Sequence, residues 1–277
     1  MTTETVTGRV NVGEFDGKQF LLKLDRAERA GFYKLLDEAP WEGKTASGHW
    51  QVRDLCGHMI DVTEGYLDRF AIARASKEAP APLGLPIMAQ KLDEAAQSFR
   101  SLSKADAISR LKTASDKMFQ IFDALDEKSW SGEIVNHTYM GPLPAYFYAG
   151  FQLIDYSIHS WDIKSGLGRD EPLTEAAAVT LIPFMMIVIQ YTVDAQRAGD
   201  LKTSFGIDIS GAGGGKWCVN VEGTAVSISE GTTEGCPTVF SFTPNEFVLS
   251  TYQRMRGGTV SGDAAIGDRI RDLLFKI

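Results

Sequence analysis

Cysteine is scarce in the 277 residues: only Cys56, Cys218 and Cys236 occur. An odd number, widely separated and without Cys-x-x-Cys spacing, indicates neither a disulfide framework nor a thiolate zinc site. They read as small buried hydrophobes in a protein of the cytoplasm. Positive charge is also short, with 28 Lys and Arg against 36 Asp and Glu, a net charge of −8. No run of Lys or Arg exists to follow a phosphate backbone, so nucleic acid is not an expected partner. Long hydrophobic runs are missing as well. The densest, residues 176–189, contains Pro183 and falls short of the about 20 residues a membrane span needs; a buried helix is expected, and no membrane. The opening MTTETVTGRV has neither a basic nor an apolar region, so no secretory leader is expected.

What is present supports a sizeable core, with 44% hydrophobic and 10% aromatic residues. Single cores stop growing near roughly 250–300 residues, which favours two domains here. The first two-thirds of the chain has helical periodicity. Phe20, Leu24, Ala27, Gly31 and Leu35 form one stripe closed by Pro40, and Val52, Leu55, Met59, Val62, Tyr66 and Phe70 form another. A shorter helix is expected over 88–102. Ser103 and Asp106 have capping-box spacing ahead of Ile108, Leu111, Ser115, Met118, Phe122 and Leu125. After the turn-rich 140–144, Phe147, Phe151, Ile154, Ile158 and Trp161 share a face.

These helices predict an antiparallel four-helix bundle, with 174–196 as a fifth helix packed on it. Near residue 200 the period changes to two. Phe205, Ile207 and Ile209, then Trp217, Val219 and Val221, then Val226 and Ile228, then Val239 to Phe242 read as strands. Thr243 and Glu246 bracket Pro244 as a helix start running to about Met255, and a last helix follows Asp263. The expected fold class is α+β in two domains, a helical bundle over 1–200 and a small α+β domain over 201–277.

Histidine is scarce, with only His49, His58, His137 and His159, so the placement of each is informative. His58 lies beside the apolar stripe of the second helix and can face the bundle interior. Asp155 and His159 are four apart, so both project from one face of their helix about 6 Å apart and can reach one ion; Asp162 continues the row. Alone the spacing is weak, because acids are 36 of 277 residues. On the pattern alone, a structural Asp155–His159 pair with His58 as a satisfied core histidine is the favoured reading. GAGGGK (211–216) departs from a phosphate loop at Ser210 and Trp217 and sits between strands, which makes it a hairpin turn. His137, in NHTYMGP, reads as a turn histidine in solvent.

The string Trp50, Val52, Arg53, Asp54, Leu55, His58, followed about 100 residues later by Asp155, His159, Trp161, Asp162, resembles the mycothiol-dependent maleylpyruvate isomerase family, part of the wider group of DinB-like metalloenzymes and thiol transferases, over roughly residues 20–197. The resemblance implies a DinB-like bundle holding a divalent metal, usually zinc, through His58, Asp155 and His159. Asp155 stands where that family usually has Glu, drawing the carboxylate inward by about 1.5 Å, one carbon–carbon bond. The C-terminal third looks like the sterol-carrier-protein-like domain that many members append. An arginine of that domain would complete the site, Arg256 by position with Arg254 as its neighbour, and Asp162 would orient a ligand histidine.

The implied activity is metal-dependent use of the low-molecular-weight thiol mycothiol for cis–trans isomerisation or thiol transfer on a small unsaturated carboxylate. The rival readings are a thiol-independent metallohydrolase or tailoring enzyme, and a binding protein whose C-terminal domain encloses an apolar ligand among Trp217, Phe240, Phe242 and Phe247. The substrate and the oligomeric state are not readable from the sequence.

Overall fold

The computed structural model describes residues 10–274; residues 1–9, on which the reading of the N-terminus rests, lie outside them. The contacts divide the chain at Leu173/Thr174 into two units. The fold class is the expected one, a helical region followed by a region built on a sheet.

The first unit holds α1 (Phe15–Glu38), α2 (Val52–Arg74), α3 (Met88–Ser98), α4 (Lys104–Ala124), α5 (Glu127–Gly132), the strands β1 (Ile134–His137) and β2 (Gly141–Pro144), and α6 (Tyr146–Gly166). Four long helices make the bundle, and their directions follow from their pairings. Tyr33 pairs with Ser115 and Arg26 with Asp123, so α1 and α4 are antiparallel. Glu64 pairs with Arg110 and Phe70 with Phe122, so α2 and α4 run the same way. The loop after α2 and the short α3 carry the chain back along the bundle, which permits this parallel pair. His58 meets His159 while Tyr66 meets Tyr148, so α2 and α6 are antiparallel.

The buried face of α1 differs from the expected stripe. Of Phe20, Leu24, Ala27, Gly31 and Leu35 only Leu35 is buried; Leu21, Leu22, Asp25, Phe32 and Leu36 face inward instead. Two charges on that face disguise it. Lys18 is buried because its ammonium donates to the carbonyls of Asp123 and Leu125 at the end of α4, and Asp25 lies wholly inside. The hairpin β1–β2 is a second departure, since 140–144 read as a turn. Ile134 pairs with Pro144 and His137 with Gly141. Prolines survive there because an edge strand need not offer every N–H to a partner.

The second unit contains α7 (Glu175–Tyr191), α8 (Ala195–Ala198), β3 (Lys202–Ile209), β4 (Gly215–Glu222), β5 (Ala225–Glu230), β6 (Thr238–Phe242), α9 (Pro244–Thr251), β7 (Thr259–Gly262) and α10 (Ala264–Arg271). Its sheet has the order β5-β4-β3-β6-β7, with β3 and β6 parallel and the other neighbours antiparallel. The chain turns through residues 210–214 between β3 and β4, with Gly215 and Lys216 already paired to Ile209 and Asp208, so the stretch is a hairpin as expected. The helix expected to be a fifth member of the bundle is α7, and it packs instead on α9 and β5 of this unit. Being apolar almost all round, it carries no face from which its partner could be read. Cys218 and Cys236, far apart in sequence, bring their sulfurs to 3.1 Å. Among the described residues no helix is long and apolar enough to cross a membrane.

Candidate metal centre

The start of α2 is fixed one turn before His58. The Asp54 carboxylate accepts the Gln51 N–H at 2.9 Å and two Arg100 nitrogens at 2.7 and 2.8 Å. Burial alone would raise this acid, but the bonds from Arg100 and Gln51 hold it below the usual carboxylate range. Next, Gly57 lets α2 touch α3 backbone to backbone: a Cβ there would stand 2.4 Å from the Ala96 carbonyl oxygen. The ring of His58 is therefore aimed by an anchored helix end and a close helix contact.

α6 supplies the other donors. One atom each from His58, Asp155 and His159 lies within 4.8 Å of the others, and His58 Nε2 is 3.9 Å from Asp155 Oδ1. The three residues are only 5%, 9% and 4% exposed. Behind them His159 Nδ1 donates to Asp162 Oδ2 at 2.9 Å, with Asp162 fully buried. A hydrogen on Nδ1 leaves the lone pair of His159 on Nε2. Burial pushes His159 below its ordinary value, with the Asp162 bond opposing, so the imidazole is neutral at pH 7 and able to ligate. His58 Nδ1 is buried with no hydrogen-bond partner.

Two imidazoles and a carboxylate converging in a buried space fit a borderline cation such as zinc. Bonds of 2.0–2.1 Å set tetrahedral edges of roughly 3.4 Å, which the observed separations approach.

Further groups crowd this place: Trp50, which opens the string read from the sequence, and Asp61 and Asp25, which the pattern did not single out. Trp50 lays its ring 5.2 Å from His58 and 6.3 Å from His159, steadied by its Nε1 bond to Asp93 at 2.7 Å, a carboxylate shared with His49 at 2.8 Å. Asp61, one turn after His58, is half-buried; burial raises its carboxyl and His58 opposes this. Asp25 has both oxygens buried without a hydrogen bond. Burial pushes it well above the carboxylate range, Arg29 and Arg26 oppose, and Asp155 adds to the rise.

His137 is not the solvent-facing turn residue expected. It ends β1, is 8% exposed, and stacks among Tyr66, Tyr148 and Phe151. Burial drives it down to about 4. A four-residue strand followed by turn residues gives no period from which this burial could be read.

Arg256 and Arg254 belong to the other unit. There they line a cavity of about 510 Å³ whose walls include Phe240, Phe242 and Phe247; Trp217, expected beside these, is not part of the wall. Arg256 pairs with Asp272 at 2.7 Å, and Arg254 donates to the Tyr252 carbonyl at 3.2 Å.

Two crystal structures of the mycothiol-dependent maleylpyruvate isomerase, one of a histidine-to-alanine mutant, share this fold. They match with TM-scores of 0.59 at 16% and 15% identity, covering 89% of this chain and 94% of theirs. A colibactin self-resistance protein solved with double-stranded DNA matches at a TM-score of 0.48 and 12% identity, over 54% of this chain and 94% of that one. No curated protein matches the sequence. The sequence model of the mycothiol maleylpyruvate isomerase N-terminal domain covers residues 23–164, and the chain belongs to that family.

Proposed function

We propose that the protein is a metal-dependent enzyme that uses mycothiol to isomerise, or to transfer the thiol to, a small unsaturated carboxylate. One observation carries the reading: two imidazoles and a carboxylate converge in a buried space, with one histidine oriented by Asp162 and another carrying an orphaned ring nitrogen. His58, Asp155 and His159 would hold the metal. When bound, a divalent metal, zinc by donor set, supplies Lewis acidity and lowers the pKa of a thiol brought to it.

The chain's own groups do the rest. Asp162 keeps the hydrogen of His159 on Nδ1, and the Trp50 ring covers the two histidines against bulk water. Addition of the thiol sulfur to an activated double bond leaves a single bond about which the substrate can turn. Elimination then restores both double bond and thiol, so isomerisation consumes none.

Turnover of an unsaturated carboxylate is expected to need both zinc and mycothiol and to be lost in His58→Ala. Turnover with metal but no thiol would favour a metallohydrolase or tailoring enzyme instead. The cavity of about 510 Å³ supports a second reading, a binder of an apolar ligand; native mass spectrometry showing a co-purified lipid and no metal would favour it.

A further inference from the structure

We infer that His137 and Arg69 form the oxyanion and carboxylate subsite of this centre, His137 donating its Nε2–H to the substrate oxygen on which charge develops. The inference rests on the proposed reading that the substrate is a small unsaturated carboxylate.

The tautomer of His137 follows from its surroundings. Its Nδ1 accepts the backbone N–H groups of Tyr139 and Met140, each at 3.3 Å. A ring nitrogen that accepts carries no hydrogen, so the hydrogen of the neutral ring sits on Nε2. Burial, with the nearby charge of Arg69, holds the ring neutral throughout the physiological range. His137 is thus no general base at pH 7; it is a fixed, uncharged N–H donor, the kind of group that stabilises a developing oxyanion without a proton of its own to lose.

Its place is beside the donors. The ring is 5.4 Å from Phe151 and 5.8 Å from Tyr66, centroid to centroid. Phe151 is one turn before Asp155 on α6, and Tyr66 is two turns after His58 on α2. The charges of both Arg69 and Asp155 act on the His137 ring, Arg69 lowering its pKa and Asp155 raising it.

Arg69 lies eleven residues beyond His58 on α2, three turns on and on the same face. Its Nη1 is buried with no hydrogen-bond partner. A guanidinium N–H left so costs free energy that a carboxylate would recover. This face of the bundle therefore has metal-ligating donors at one end, a neutral N–H between, and a cation with an unmet bond beyond.

In the addition step a C–S bond forms and the π pair of the double bond moves onto the conjugated carbonyl oxygen, where His137 Nε2–H meets it. After rotation the pair returns, the C–S bond breaks and the thiolate leaves. No proton changes hands at His137.

The test uses maleate and fumarate, a cis and a trans diacid, with the wild type, Arg69→Gln, Arg69→Lys, His137→Phe and His137→Gln. Maleate binding is measured by calorimetry with and without zinc, and nitrogen-15 spectra report the histidine tautomers. Expected results are at least tenfold weaker maleate binding in Arg69→Gln with partial recovery in Arg69→Lys, and at least tenfold lower turnover in His137→Phe at unchanged zinc content with partial recovery in His137→Gln. The His137 resonances should show the Nε2–H tautomer from pH 5.5 to 8. No maleate binding by the wild type, equal binding by Arg69→Gln, or a His137 ring that titrates in that range would overturn the inference. Absence of zinc or of thiol-dependent turnover would sink the proposed function alone, because diacid binding is read without either.

Discussion

Removing Asp162 separates two ways in which a carboxylate behind a histidine can act. The bond from His159 Nδ1 to Asp162 Oδ2 is 2.9 Å and the acid is fully buried, so solvent does not screen it. A hydrogen bond to a charged group contributes about 1.5–3 kcal/mol, and loss of such a partner behind a metal ligand typically costs 10–100-fold in metal affinity. Asp162→Asn keeps an acceptor oxygen and loses the charge, so about tenfold is expected, or about 1.4 kcal/mol. Asp162→Ala loses both and leaves the Nδ1–H unmet, so about 100-fold is expected.

The sign excludes an account through protonation. Asp162 raises the pKa of His159, which burial lowers; deleting the acid would make the imidazole still harder to protonate and, by that route alone, would tighten metal binding. A loss must come from orientation and tautomer, since without an acceptor at Nδ1 the hydrogen is free to occupy Nε2. Zinc affinity is measured by chelator competition at pH 7 and pH 8, where the loss should be the same. Wild-type affinity in Asp162→Ala, or a loss that vanishes at pH 8, would refute the reasoning.

Gly57→Ala should lower the melting temperature: helix propensity would gain about 1 kcal/mol, but the new Cβ would stand 2.4 Å from the Ala96 carbonyl oxygen, and overpacking against backbone costs about 1–3 kcal/mol. A higher melting temperature would contradict this. Asp25 has its carboxyl raised by burial, so the folded state keeps a proton that the unfolded chain loses above about pH 3.9; stability falls as pH rises, and Asp25→Asn should be more stable than wild type at pH 8 with the gap closing at pH 4 in urea titrations. His137 is the opposite case, held at about 4 in the fold against about 6.5 unfolded. The unfolded chain binds the extra proton between those values, so the wild type should lose about 3 kcal/mol between pH 7 and pH 4 that His137→Gln does not, and equal acid sensitivity of the two would count against it.

The parts of the molecule that were legible in its sequence are those where polarity and burial agree. Helices α2, α4 and α6 announce themselves because Val52, Leu55 and Met59, or Ile108 and Leu111, put apolar atoms inward at helical spacing, and Asp155 and His159 are visible as a pair because a helix fixes what lies four residues apart. The strands near residue 200 are legible for the same reason with period two. Two of the departures fall where polar groups go inside. The face of α1 was misplaced because Lys18 and Asp25 occupy inward positions, and His137 was assigned to solvent because nothing next to it in sequence shows that Tyr66, Tyr148 and Phe151 close over it.

The departures at α1 and at His137 both lie in the unit that holds His58, Asp155 and His159, and they share a cause. A bundle that must present ligating and hydrogen-bonding atoms to its interior has to break the rule that polar residues face water, so a pattern that assumes the rule goes astray there. The buried, unpaired oxygens of Asp25 and the misassigned stripe of α1 are thus two views of the same polar interior. A helix whose best apolar stripe disagrees with its packing is itself a pointer to an interior built for chemistry.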